Sequence, residues 1–305
     1  MPVKLLKSNP FFVSIVLLLI IQSCTKSVDA DYQLVDSKTS GDINKIEHFE
    51  DRIIAIGGDA WTYGMILEYE ADSLRVLRET DKELIALGGY ENKMIAAGMN
   101  GFLFEIGDQI RFFQHSQGQV ARDLMETEQG ILLVGGKSYS LGYVSSLNNK
   151  NEVERTIDFS FELRSIDRFS DGIYVSGFGA IFKSEDEGAS WQKLDMDGDF
   201  FISISRTAEG LGFITGQEGL IYHTQDHGRN WKKMRAPSRQ QINGAEIIQD
   251  KLFLFCNHGI YQTYDPGKDN WSIYKTGHSN LNDGHYQEGQ LFLVGDDGFF
   301  AIVDI

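Results

Sequence analysis

From residue 32 onward the chain is written in runs of four to six apolar or alternating positions, bounded by Gly, Asn or Asp. Such runs predict strands, and no segment here sustains an apolar stripe at 3.6-residue spacing. Two kinds of run recur with fixed punctuation. One closes on Gly or Cys: Ile53–Gly57, Met94–Gly98, Ile131–Gly135, Ile173–Gly177, Gly212–Gly216, Leu252–Cys256 and Leu291–Gly295. The other opens on Gly64, Gly101, Gly142, Gly179, Gly219, Gly259 and Gly298, at intervals of 37 to 41 residues. Seven units of four short strands fill the region almost without remainder. Repeats of that length predict an all-β fold, a seven-bladed β-propeller of four-stranded antiparallel blades.

The seventh unit stops after its third strand, Phe299–Asp304, while a spare strand lies at Tyr32–Val35, ahead of the first strand of unit one at Ile43–His48. This spare strand is similar to the outer strands Trp191–Leu194 and Trp271–Tyr274. It is expected to close the last blade, removing an exposed edge and tying down both ends of the propeller, residues 32–305.

Units four to six share a further pattern. It reads Ser184, Asp186, Gly188, Trp191 in the first copy and Thr224, Asp226, Gly228, Trp231 in the second. The third has Thr263, Asp265, Gly267 and, after one extra residue, Trp271. The physical need is local: Asp accepts backbone N–H bonds within a turn, Gly takes positive φ, and Trp caps the neighbouring apolar layer. The pattern resembles the Asp-box, or BNR repeat. With the layout from Gly216 to Trp231, the chain resembles the photosystem II assembly-factor-like propellers; the resemblance covers units four to seven, and units one to three join by period alone. It implies a non-catalytic assembly or scaffold module with a protein or peptide partner. Sialidases and sortilin-type domains also carry Asp-boxes, so the alternative class is a glycan-binding or glycan-cleaving propeller.

The first residues are an address. Lys4 and Lys7 precede eleven mostly apolar residues, Phe11–Ile21, whereas a bilayer-spanning helix needs about 20. Ile21-Gln22-Ser23-Cys24 resembles a bacterial lipobox. That resemblance implies a signal peptide over residues 1–23, lipidation of Cys24, and a short polar tether over 24–31. The expected place is the bacterial cell envelope at the outer membrane, with the lipidated N-terminus as the sole membrane contact and the protein a monomer. Cleavage leaves 26 basic against 44 acidic side chains, a charge of −18, which argues against nucleic-acid binding. Two cysteines exclude a disulfide-rich scaffold, and Cys256, inside an apolar run, reads as a small core residue.

Candidate chemistry is sparse. A sialidase would need three Arg gripping a carboxylate and a Tyr/Glu pair, a constellation that an Arg-Ile-Pro run usually announces. That run is absent, and of Arg122, Arg164 and Arg206 only the first two hold equivalent places, each 13 residues before a strand-two Gly. His223 and His227 lie across a hairpin, where i, i+4 spacing loses its helical meaning. Asp195, Asp197 and Asp199 alternate as in a calcium loop, but Arg206 stands where the closing Glu would be. No catalytic residue, metal or cofactor is assigned.

A binding face is more legible. Loops between strands two and three share one face of a propeller with the inter-blade loops. The Asp-box turns lie on the other. Units one and three have six-residue insertions there, Gly58–Tyr63 and Gly136–Leu141, which bring Trp61, Tyr63 and Tyr139 to that face. Arg122 and Arg164 begin inner strands and are expected at the central mouth of the same face. Insertions on one face of a repeat protein often mark its binding surface.

Overall fold

In the computed structural model, which describes residues 25–305, one meander is repeated seven times around a central channel. The expected signal peptide and Cys24 lie outside the described residues. Blade one runs outward through Asp42–Phe49, Arg52–Asp59, Tyr63–Glu70 and Ser73–Thr80. Blades two to six begin at Leu84–Tyr90, Val120–Thr127, Leu163–Phe169, Phe201–Arg206 and Ile242–Ile248. Blade seven begins at Leu281–Gln287. The expected fold is present. Among the described residues no helix is long and apolar enough to cross a membrane.

The repeated glycines do two different jobs. Those ending strand two make room: a Cβ on Gly98 would lie 2.1 Å from the Glu83 carbonyl oxygen, and one on Gly177 2.1 Å from that of Glu162. Any side chain there would push the inner strand of its blade away. Cys256 is the exception, paired with Ile242 at the same register. Some of the glycines opening strand three instead permit tight turns. Asn100-Gly101 and Glu218-Gly219 both have two consecutive positive φ values, 59° and 68°, then 52° and 69°, the signature of a type I′ hairpin turn.

The core lies between blades. Ile54, Ile56 and Ile66 of blade one meet Leu84, Met94 and Phe104 of blade two in one buried layer, and similar layers join the other blades. Each such side chain contributes ~1.5–3 kcal/mol through burial.

Closure follows the expected route. Gln33 and Leu34 pair antiparallel with Ile302 and Ala301, and the Val35 N–H continues the ladder to the Phe300 carbonyl at 2.9 Å. The segment ahead of it departs from the expected tether. Lys26–Asp29 forms a fifth strand on blade six, parallel to Asn270–Lys275, with Lys26 opposite Ser272 and Asp29 opposite Lys275. Without it the outer strand of blade six would present an open row of backbone donors and acceptors, and an adjacent extended segment satisfies them.

All seven inner strands carry a β-bulge near their start, at Asn44, Ile85, Arg122, Arg164, Ile202, Asn243 and Asn282. A bulge inserts an unpaired residue and re-aims its side chain. All seven residues line the central channel, a cavity of about 440 Å³.

Candidate functional site

The bulge ring sets the chemistry of the channel mouth. Where the residue is Asn, its amide bridges to the next blade: Asn44 donates to the Leu84 carbonyl at 2.8 Å, Asn243 to that of Leu281 at 2.9 Å, and Asn282 to that of Ile43 at 3.2 Å. Where it is Arg, a charged cluster forms instead. Arg122 Nε donates to Glu162 Oε1 at 2.8 Å, and Arg164 Nη1 reaches the same oxygen at 3.1 Å. The Glu162 side chain is only 4% exposed. Burial and the neighbouring Arg122 charge lower the pKa of Arg164, against the pull of Glu162. Two guanidiniums share one carboxylate, so the cluster keeps one positive charge. Each guanidinium has five N–H donors and Glu162 takes one from each, so donors remain for an anionic group.

An aromatic arc extends this cluster outward. The Arg164 guanidinium lies over the Phe200 ring at 5.6 Å, a cation–π contact. Phe200 stacks on Phe178 with centroids 4.1 Å apart, and Phe178 meets Tyr139 edge-on at 4.7 Å. Tyr139 is 72% exposed, and Leu141 on the same turn is also exposed. The structure thus brings Arg122, Arg164 and Tyr139 into one continuous site, with Glu162, Phe178 and Phe200 as members that the sequence reading did not name. A signal for Phe200 existed. It stands two residues before the bulge of its blade, where the equivalent residues of the other blades are Asp42, Glu83, Val120, Glu162, Gln241 and Asn280, polar in all but blade three.

Trp61 and Tyr63 belong to a different part of the rim. Trp61 is half exposed and its carbonyl accepts from Lys82 Nζ; Tyr63 is half-buried, with its hydroxyl 3.8 Å from Met65 Sδ. The two long turns nevertheless dock alike. The Ala60 carbonyl accepts the Glu83 N–H at 3.2 Å, and the Tyr139 carbonyl accepts the Glu162 N–H at 3.3 Å. Each insertion therefore seats the acidic residue that opens the next blade. Burial raises the Glu83 pKa, while its hydrogen bond from Asn44 and the Arg122 charge oppose the rise.

Deeper in the channel the groups are acidic. Asp283 accepts from Lys45 Nζ at 3.3 Å and from the Ile46 N–H at 3.2 Å. Asp123 accepts the Ile166 N–H at 3.0 Å, and Ser165 Oγ the Ile204 N–H at 3.1 Å. These latches tie blade to blade. Three residues below their bulges lie Glu47, Asp167, Glu246 and His285. Burial, reinforced by the Asp283 charge, pushes the Glu47 carboxyl up to about 8. Burial also takes Asp167 to about 6 despite Arg206, and holds the His285 imidazole down to about 4. Arg206 pairs with Asp167 at 3.3 Å at this lower level, away from the two-Arg cluster. The three-Arg grip of a sialidase is not assembled.

The Asp-box turns lie on the opposite face, and two copies share one geometry. Ser184 Oγ donates to Asp186 Oδ1 at 2.8 Å and accepts the Gly188 N–H at 2.8 Å; Asp186 accepts from the Ser190 N–H and Oγ. Thr224, Asp226, Gly228 and Asn230 repeat the pattern. Hydrogen bonds from residue 190 or 230 hold both Asp carboxyls at about 2. Trp191 packs edge-on against Phe159, and Trp231 against Phe169, in each case in the preceding blade. The third copy departs: Asp265 accepts from the Gly267 and Lys268 N–H groups, and the positive φ falls on Asp269. The extra residue leaves Trp271 inside the outer strand, paired with Tyr264, in place of a turn cap. Of the histidines weighed as ligands, His223 stacks on Phe213 at 4.8 Å, and His227 sits in the second Asp-box turn.

A family model described as "Photosynthesis system II assembly factor YCF48" matches residues 145–303, just over half of the chain. The chain belongs to that family. The matched stretch contains Glu162, Arg164, Phe178 and Phe200, whereas Arg122 and Tyr139 precede it. A relative from Synechococcus sp. (strain CC9902), "Photosystem II assembly lipoprotein Ycf48", is 32% identical over 37% of this chain and 38% of its own length. Its namesake from Picosynechococcus sp. (strain ATCC 27264 / PCC 7002 / PR-6) is 27% identical over 42% of this chain and 41% of its own. The chain thus spans about two fifths of the length of these relatives, which are themselves lipoproteins by name. Among solved structures, the WD40 β-propeller domain of Doa1 superposes with a TM-score of 0.69 at 9% identity, over 90% of this chain and 96% of that one. The computationally designed Ika8 protein gives 0.62 at 10% identity, over 90% and 100%. These two speak for the propeller fold alone.

Proposed function

We propose that this family member is a lipid-anchored propeller of the bacterial envelope, a non-catalytic assembly module that holds a protein partner at its channel mouth. The observation that carries the reading is the Arg122–Glu162–Arg164 cluster joined to the exposed arc Tyr139–Phe178–Phe200. A carboxylate on the partner would take the spare guanidinium donors, and apolar residues beside it would cover Tyr139 and Leu141, the combination of Arg and aromatic anchors that dominates binding energy. Family membership supplies assembly as the class of activity, and the relatives' names supply photosystem II as their object. The residues of this chain specify only the partner's chemistry, an acidic group flanked by apolar surface. Anchoring through Cys24 rests on the lipobox and on the relatives' being lipoproteins.

The test is crosslinking and capture of the lipidated protein from its own membranes. The comparison is a variant in which Arg122→Ala and Arg164→Ala are combined with Glu162→Gln, so that no buried charge is left unpaired. Capture of a discrete partner by the wild type and its loss in the variant is the expected outcome. Equal capture by both overturns the assignment of the site. A fluorogenic sialoside serves as the control for catalysis: turnover that disappears with Arg122→Ala would replace the assembly reading with a glycosidase.

A further inference from the structure

The fifth strand of blade six fixes where a lipid on Cys24 leaves the propeller, and that decides which face meets the bilayer. Strands in a meander alternate in direction. The Asp-box turns join strands three and four on one face, and the outer strand of each blade therefore starts on that face and ends on the channel-mouth face. In blade six this strand is Asn270–Lys275, starting from the turn over Pro266–Asp269. Lys26–Asp29 runs parallel to it, with Lys26 opposite Ser272 near the start and Asp29 opposite Lys275 at the end. The Ala30 N–H then bonds the Lys275 carbonyl at 2.8 Å, and the Tyr32 hydroxyl bonds the Thr276 carbonyl at 2.8 Å. The described part of the chain thus starts beside the Asp-box turn of blade six and travels toward the opposite face. Cys24 stands two residues before Lys26, within about 7 Å of it even when the chain is fully extended.

We infer that the lipidated chain sits with the Asp-box side of blade six against the lipid surface and the Arg122–Arg164 mouth turned away from it. The inference rests on the reading that Cys24 is lipidated. With the paired strand starting so soon after the anchor, there is no free length to let the body turn over; a flexible linker would reach about 5–6 Å times the square root of its residue count and lose the orientation. The mouth is then open to a partner domain standing off the membrane.

Energy transfer to the bilayer measures this directly. Single thiols are placed at Lys268→Cys in the blade-six turn and at Ser140→Cys in the long turn of blade three, both exposed positions. Cys256 is buried and stays unlabelled. The full lipidated chain, labelled with a donor dye, is reconstituted into phosphatidylethanolamine–phosphatidylglycerol vesicles carrying a headgroup acceptor. Transfer is expected to be several-fold stronger from position 268 than from position 140. Introducing Ser27→Pro with Val28→Pro, which removes backbone donors from the parallel strand, should shrink the difference. Equal transfer from the two positions, or the reverse order, overturns the orientation. A difference that survives both prolines overturns the role of the strand. Labelled fatty acid uptake, abolished by Cys24→Ser, is read in parallel. A chain that takes up no lipid overturns the anchoring reading itself, and with it this proposal.

Discussion

At the scale of single residues, the site turns on one carboxylate. Glu162 is almost wholly enclosed and is the shared acceptor of two guanidiniums. Breaking a buried pair from one side is costlier than removing both sides, because the surviving charge has lost its solvent and its partner. Arg122→Ala with Arg164→Ala should therefore lower stability by about 3 kcal/mol, and adding Glu162→Gln should restore most of the loss. Urea unfolding midpoints of the three proteins check the order. The arginines were legible in the sequence because the strand-two Gly gives each blade a ruler, and both stand 13 residues before theirs. Glu162 was not legible as their partner. It lies on the loop before its strand, and only the bulges at Arg122 and Arg164 turn both side chains toward it.

At the scale of elements, the closing strand is short, two paired residues with Val35 continuing the ladder. Val35 is buried in the layer that also holds Phe300 and Ile302. A chain starting at Tyr32 should keep its closure, whereas one starting at Asp36 should lose it, with at least about 2 kcal/mol from the burial of Val35 alone. Thermal unfolding of the two truncations tests this, and equal transitions would show that closure adds nothing. The closing strand was legible because the count of strands left one vacancy in unit seven and one spare at the other end. The parallel strand before it was not. Lys26–Asp29 has no apolar alternation, and its pairing is set by the backbone edge of blade six. The third Asp-box failed for a comparable reason: its motif letters are present, but one inserted residue moves the positive φ from Gly267 to Asp269 and reseats Trp271.

Across the whole molecule, carboxyls are held in two opposite ways, favoured as ions in the Asp-box turns and favoured as acids deep in the channel, and stability should reflect both. Asp186 and Asp226 titrate at about 2, below the ordinary carboxylate value of 3.8. Their stabilisation is complete above pH 4 and is lost as pH falls toward 2. Glu47, raised to about 8 from an ordinary 4.5, holds its proton more tightly when folded. Its contribution is present below pH 4.5 and is lost as pH rises through 8. Melting temperature against pH should fall on both sides. Asp186→Asn with Asp226→Asn should flatten the acid arm, and Glu47→Gln the alkaline arm; an unchanged alkaline arm would remove Glu47 from the account.

The parallel strand also gives the molecule a mechanical property. A pull on the N-terminus loads the four residues Lys26–Asp29 along their own direction, so their bonds to blade six share the force in shear. The two-residue pairing that seals the ring lies downstream of that clip and stays slack until it gives way. Force applied at that end is borne by blade six, and the ring remains shut.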